Sequence, residues 1–210
     1  MEHPKVAADY LEPASFFDIY NEEDFFLNNC LLKGEFIDQE KIQRPTLEQV
    51  VVNHVTFSSC DFNRADFTDV IFKSCDLSNC QLDEVSFYRV EFQNCKLIGT
   101  NFDQSYFNNV VFENCRMDMA NLNRMNLKNT DFVNSSLKDV SFNENKLVKT
   151  HFRNCELTKL TALNTPLKGI DLSDCQFETI DLDRNYLRGL QVNAEQAGFL
   201  AQYFLDIKIK

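Results

Sequence analysis

Eight cysteines, three histidines and thirty-two acidic residues are the side chains of this 210-residue sequence that could carry chemistry. Thiols and imidazoles could hold zinc or exchange disulfides, and both uses need ligands at short, set spacings. No two cysteines are separated by only two residues; Cys75 and Cys80 stand five apart. His3, His54 and His151 are scattered and have no partner at ligand spacing. Carboxylates could serve as an acid and base couple, but no pair stands out. The sequence has no Gly-rich phosphate loop and no nucleophile elbow. It therefore predicts no catalytic residue, no cofactor and no metal site, and argues against an enzyme.

The spacing of the cysteines leads instead to a repeat. From Phe57, every fifth residue is large and apolar through Leu187, 27 positions in all. Thirteen are Phe, twelve Leu and one Met, and only Ala162 is small. Two residues before each lies a second class, beginning Val55, Cys60, Ala65, Val70, Cys75 and Cys80. Ala, Cys, Ser, Thr or Val fill 21 of these 27 places, and Met125, Asn145, Leu160, Ile170, Ile180 and Asn185 are the exceptions. The other three residues of each quintet are mostly polar and rich in Asn, Asp and Ser. The cysteines are thus small core residues, a use that suits free thiols.

A step of five fits neither regular period. On a helix it advances by about 500°, so the large residues would spiral instead of forming a stripe. A strand needs alternation. What remains is a chain that turns a corner every five residues, with Asn, Asp and Ser supplying turn chemistry. Four corners close a coil of twenty residues. Sorted by twenties, one column reads Phe72, Phe92, Phe112, Phe132, Phe152, Leu172, and another holds Cys75, Cys95, Cys115, Cys155 and Cys175. Like stacks on like, as an all-β quadrilateral β-solenoid requires.

The ends differ from the middle. Residues 1–24 hold no repeat and form a candidate arm, helical around residues 14–20. Residues 25–46 read as a partial first coil followed by an irregular connection over 38–46. There the small places would hold Glu35, Glu40 and Pro45, and buried unpaired carboxylates are costly. Continuous coils are expected over 47–192. Residues 193–210 form a terminal unit. Asn193 and Gln196 make a capping-box start, a short helix follows, and Ile207 and Ile209 alternate as a last strand would. A solenoid end must be capped. The aromatic content exceeds what a small cap needs, so a homodimer seam is expected at Phe199, Leu200, Tyr203 and Phe204.

The net charge is −11, which argues against direct nucleic-acid binding. Residues 1–55 carry eleven acids against four bases. Within the coils, the side centred on Phe62, Leu82 and Phe102 holds Asp83, Glu84 and Asp103. The side of the Phe ladder holds Glu91, Glu113, Asp131, Asp171 and Asp174. These eight are the candidate partner-binding residues, since an acidic rod can present a field like that of duplex DNA. The side centred on Phe67, Phe87 and Phe107 is basic in its later coils, with Lys128, Lys146, Lys149, Lys168 and Arg188. No apolar run approaches the roughly 18 residues of a membrane span. The first residues lack a signal-peptide pattern, so a cytoplasmic protein with reduced thiols and no membrane contact is expected.

The quintet pattern resembles the pentapeptide-repeat family. CDFNRADFTDVIFKSCDLS (Cys60–Ser78) and LRGLQVNAEQAGFLAQYFLDIKI (Leu187–Ile209) resemble its quinolone-resistance, or Qnr-type, branch. The resemblance implies a right-handed four-sided β-helix that dimerises and mimics DNA. It also implies binding to a type II topoisomerase, DNA gyrase or topoisomerase IV, with protection from quinolones or inhibition of the enzyme. Well-known Qnr-type proteins carry loops that interrupt the coil. The unbroken phase from Phe57 to Leu187 leaves no such loops, so the chain resembles loop-free topoisomerase-binding relatives more closely. The alternative is a general interaction scaffold with an unrelated partner.

Overall fold

The computed structural model describes residues 1–7, 11–21 and 23–208. In chain order its strands are β1 (Glu12–Ala14), β2 (Phe26–Asn28), β3 (Cys30–Lys33), β4 (Phe36–Asp38), β5 (Thr46–Asn53), β6 (Thr56–Ser58) and β7 (Asp66–Lys73). They continue as β8 (Ser86–Gln93), β9 (Tyr106–Glu113), β10 (Asn126–Val133), β11 (Lys146–Arg153), β12 (Leu160–Ala162) and β13 (Ile180–Leu182), and one helix, α1 (Ala194–Leu205), follows. All strand pairs are parallel. Asp66 registers with Ser86, Ser86 with Tyr106, Tyr106 with Asn126, and Asn126 with Lys146. The rise is one coil per twenty residues, and about 8 turns build a quadrilateral β-solenoid.

The long strands bend. β7 to β11 each turn at their fourth residue, Asp69, Arg89, Asn109, Asn129 or Lys149, where φ is 49° to 59°. One strand thus covers two sides of the coil. Single bridges such as Asp61 to Gln81 and Asp76 to Lys96 hold the other two. A left-handed corner recurs at every fifth residue from Asn29 to Asn164. Such a conformation costs an L-residue about 1–2 kcal/mol, and only a repetitive, well-packed core can sustain it so often. At Gly99 a side chain would also collide, since a Cβ there would lie 2.6 Å from Asn79 Oδ1.

The large residues fill the axis. Of the 27 positions, all but Leu147, Phe177 and Leu187 are buried. The Phe ladder stacks face to face: Phe72 to Phe92 at 4.7 Å, Phe92 to Phe112 at 4.8 Å, Phe112 to Phe132 at 5.2 Å and Phe132 to Phe152 at 4.9 Å. The small position does more than save space. Its side chain commonly donates to a carbonyl of the preceding coil: Cys80 Sγ to Phe57 O at 3.2 Å, Thr100 Oγ1 to Leu77 O at 2.8 Å and Ser105 Oγ to Leu82 O at 3.1 Å. Cys, Ser and Thr recur there because each is compact and carries a donor.

The first coil corrects one expectation. Residues 38–46 are not an irregular connection. Ile37, Ile42 and Leu47 keep the large phase and are buried, and the amides of Gln39, Ile42 and Arg44 donate to Ser58, Asp61 and Asn63 of the next coil. The carboxylates are tolerated because they are partnered at the open end. A 3-10 helix, Phe16–Asn21, lies over that end with Phe16 and Ile19 buried. The Phe16 amide donates to Glu35 at 3.0 Å and the Tyr20 hydroxyl to Glu40. The Glu40 carboxylate, with some help from burial, pushes the Tyr20 hydroxyl up to about 12. The 3-10 helix and β1, which pairs with β3, make residues 11–21 an N-terminal cap.

At the other end α1 has its capping box, with Gln196 N donating to Asn193 Oδ1 and Asn193 N to Gln196 Oε1, both at 3.0 Å. Gln196 is buried and donates to Leu172 O and Cys175 O, which ties the helix to the last coil. Phe199, Leu200 and Phe204 lean on the core. The expected terminal strand is not formed over 206–208, and Ile209 lies outside the described residues. No helix among the described residues is long and apolar enough to cross a membrane.

Candidate partner-binding surface

The fold places the eight acidic candidates on two opposite outer sides, with the Phe67 side between them, and then divides them by their partners. On the first side, Glu84 is exposed and paired with Arg64 of the preceding coil at 3.0 Å. Asp103 is buried and held by Arg124 through Nε at 2.9 Å and through Nη2. Asp83 lies between those coils and forms no ion pair among the described residues. Burial pushes its carboxyl up, and Asp61, Glu84 and Asp103 add to the effect through like-charge repulsion.

On the ladder side, Glu91 accepts from His3 Nδ1 and from Gln93 Nε2, both at 2.8 Å. Asp131 is buried between His151 at 2.7 Å and Arg153 at 3.0 Å. Glu113, Asp171 and Asp174 are exposed and without an ion pair among the described residues. The Ser173 side chain and amide hold Asp171 below the usual carboxylate range. The outward charge therefore rests on Asp83, Glu113, Asp171 and Asp174 more than on the other four.

The structure also shows a pair that sequence reading missed. Asp69 and Arg89 occupy the corner between the Phe67 side and the ladder side, one coil apart. They meet through two contacts of 2.6 Å, and Asp69 is 3% exposed. Arg89 also lies over the Tyr88 ring at 4.0 Å. The arm covers this corner: Lys5 N donates to Asp69 at 2.8 Å and Glu2 N to Asn109 at 2.9 Å. One sequence signal could have revealed the pair. Opposite charges twenty residues apart recur at Arg64 and Glu84, Asp69 and Arg89, Asp76 and Lys96, and Asp139 and Lys159.

The basic residues Lys128, Lys146, Lys149, Lys168 and Arg188 are all exposed, and none forms an ion pair among the described residues. The four seam candidates separate as well. Phe199, Leu200 and Phe204 are half-buried against their own rod, while Tyr203 is 56% exposed, beside exposed Leu205 and Ile207.

The thiols face the core, where the Cys80 thiol lowers the pKa of Cys60 and the Cys175 thiol lowers that of Cys155. All eight are free and buried. Burial, with Asp18 and Glu35, pushes Cys30 up to about 11, and the neighbouring Cys115 thiol is the main cause that takes Cys95 to about 12. Among the described residues no three His, Cys, Asp or Glu side chains gather as metal ligands.

Residues 85–162 match the model of a pentapeptide repeat region, and residues 53–87 match pentapeptide repeats in eight copies. No curated protein matches the chain. Trypsin-treated QnrB1, described as a plasmid-mediated fluoroquinolone resistance protein, is 21% identical with a TM-score of 0.51. That match covers 86% of this chain and 98% of the other. HetL, a pentapeptide repeat protein involved in heterocyst differentiation regulation from the cyanobacterium Nostoc sp. strain PCC 7120, is 14% identical. It matches over 79% of this chain and 86% of its own, with a TM-score of 0.47.

Proposed function

We propose that this chain, which belongs to the pentapeptide-repeat family, is a non-enzymatic DNA mimic that binds a bacterial type II topoisomerase, DNA gyrase or topoisomerase IV, and protects it from quinolones. The observation that carries the reading is the unneutralised carboxylate at Asp83. Asp61, Glu84 and Asp103 crowd it, and it forms no ion pair among the described residues. A purely structural surface gains nothing from such crowding, whereas a surface that meets a basic cleft uses it. Glu113, Asp171 and Asp174 place a second negative field on the opposite side. The fold shared with QnrB1 and the sequence resemblance to the Qnr-type branch support topoisomerase as the partner.

Opposed charges steer association and weaken it with salt. Binding of purified gyrase or topoisomerase IV should therefore fall steeply between low and physiological salt. Asp83→Lys with Glu113→Lys should abolish it while the circular-dichroism spectrum stays native. Unchanged binding by that variant would reject these two sides. The protein acts as a homodimer through α1, with Tyr203, Leu205 and Ile207 outward.

The five unpaired cations on the neighbouring side favour a second reading. A rod with one basic side also suits a general scaffold with an unrelated acidic partner. Affinity capture from host lysate that returns such a protein, and no topoisomerase, would favour it.

A further inference from the structure

The corner row Asp69, Arg89, Asn109 runs along the rod axis, and residues 1–7 run along it in the opposite direction. Glu2 meets Asn109, His3 meets Glu91 and Lys5 meets Asp69. From Glu2 to Lys5 the arm crosses two coils. Two coils are about 9.6 Å apart, and three extended residues reach about 10 Å, so the arm is extended and in step with the stack. Two of its three contacts use its backbone amides, so they depend little on side-chain identity. Glu2 Oε2 adds a longer contact to Arg89 at 3.7 Å. Beneath the arm Asp69, Arg89 and Asn109 are buried, although a corner of a solenoid ordinarily faces solvent. The Glu91 side chain is only 16% exposed, while the His3 ring over it is 75% exposed.

We infer that residues 1–7 are a releasable strap that masks Glu91 and the Asp69–Arg89 corner and competes in cis with whatever binds there. A strap held by four polar contacts, with one ring out in solvent, can lift without disturbing the core. The coils beneath it are closed by their own ladders. Once lifted, it uncovers Glu91 at the edge of the acidic ladder side. Competition with topoisomerase rests on the function proposed above; the masking itself does not.

Lys5→Pro tests both parts, because proline lacks the amide that donates to Asp69 and the residue lies outside the coils. In the full chain, carboxylates are coupled to glycine ethyl ester with a carbodiimide and read by mass spectrometry. Labelling of Glu91 should rise about tenfold in Lys5→Pro, the effect of losing one hydrogen bond to a charged group. Exposed Glu113 should label equally in both proteins. Affinity for topoisomerase should rise in the same variant. Equal labelling of Glu91 in both proteins overturns the strap. Raised labelling with unchanged topoisomerase affinity overturns the competition. Raised labelling with no topoisomerase bound by either protein sustains the masking and counts against the functional reading alone.

Discussion

Arg89 reaches back one coil to grip Asp69 through two contacts of 2.6 Å, with both side chains buried at a corner of the rod. Removing one partner leaves the other charge buried and unpaired, at about 3–5 kcal/mol. Arg89→Ala should lower the urea midpoint accordingly, and Asp69→Leu combined with Arg89→Met should recover much of the loss. Burial alone would raise the Asp69 carboxyl, but Arg89 and the Lys5 amide outweigh it and hold the group below the usual range. A lowered native pKa stabilises the fold above the unfolded value of about 4. That gain disappears as pH falls through the native value. Asp69→Asn should therefore flatten the acid limb of the stability curve.

Asp83 has the opposite sign. Burial, with neighbouring carboxylates, raises its pKa in the folded state. Its ionised form is disfavoured there, so stability is lost as pH rises through the native value. Asp83→Asn should raise the Tm at pH 7, and the difference from the wild type should vanish once both folded and unfolded carboxyls are protonated. The same variant should bind topoisomerase more weakly. Greater stability with undiminished binding would separate the crowding from function.

Thr130 occupies a small position, but its Oγ1 is buried without a hydrogen-bond partner. One coil earlier the same place holds Val110, which is buried. Thr130→Val keeps the shape and removes an unsatisfied hydroxyl, so it should stabilise by about 1 kcal/mol in urea denaturation.

At the C-terminal end, Tyr203 and Leu205 face outward while Phe199 and Phe204 lean on the core. Tyr203→Asp with Leu205→Asp should convert a dimer to a monomer in sedimentation without lowering the Tm. Phe204→Asp should lower the Tm as well. A wild-type protein that sediments as a monomer at micromolar concentration would refute the seam.

The quintet period exposed the corners, the Phe ladder and the coil length, because one side-chain shape is required at one repeated place. The same period was legible across residues 38–46, through Ile37, Ile42 and Leu47. It was obscured because Glu35 and Glu40 looked costly, and the caps that partner them, Phe16 and Tyr20, come from a segment without any repeat. The acidic candidates were legible by side but not by state. Sorting charges by side places Asp103 correctly. Only the coil-to-coil geometry brings Arg124 against it. The path of residues 1–7 has no local sequence signal, since two of its contacts are backbone amides.

A gyrase supercoiling and cleavage assay with purified components, with and without ciprofloxacin, tests the central claim most directly. The wild-type protein should relieve drug-induced cleavage, slow supercoiling, or do both, and Asp83→Lys with Glu113→Lys should do neither. No effect of the wild type on gyrase or on topoisomerase IV across a wide concentration range would contradict the account.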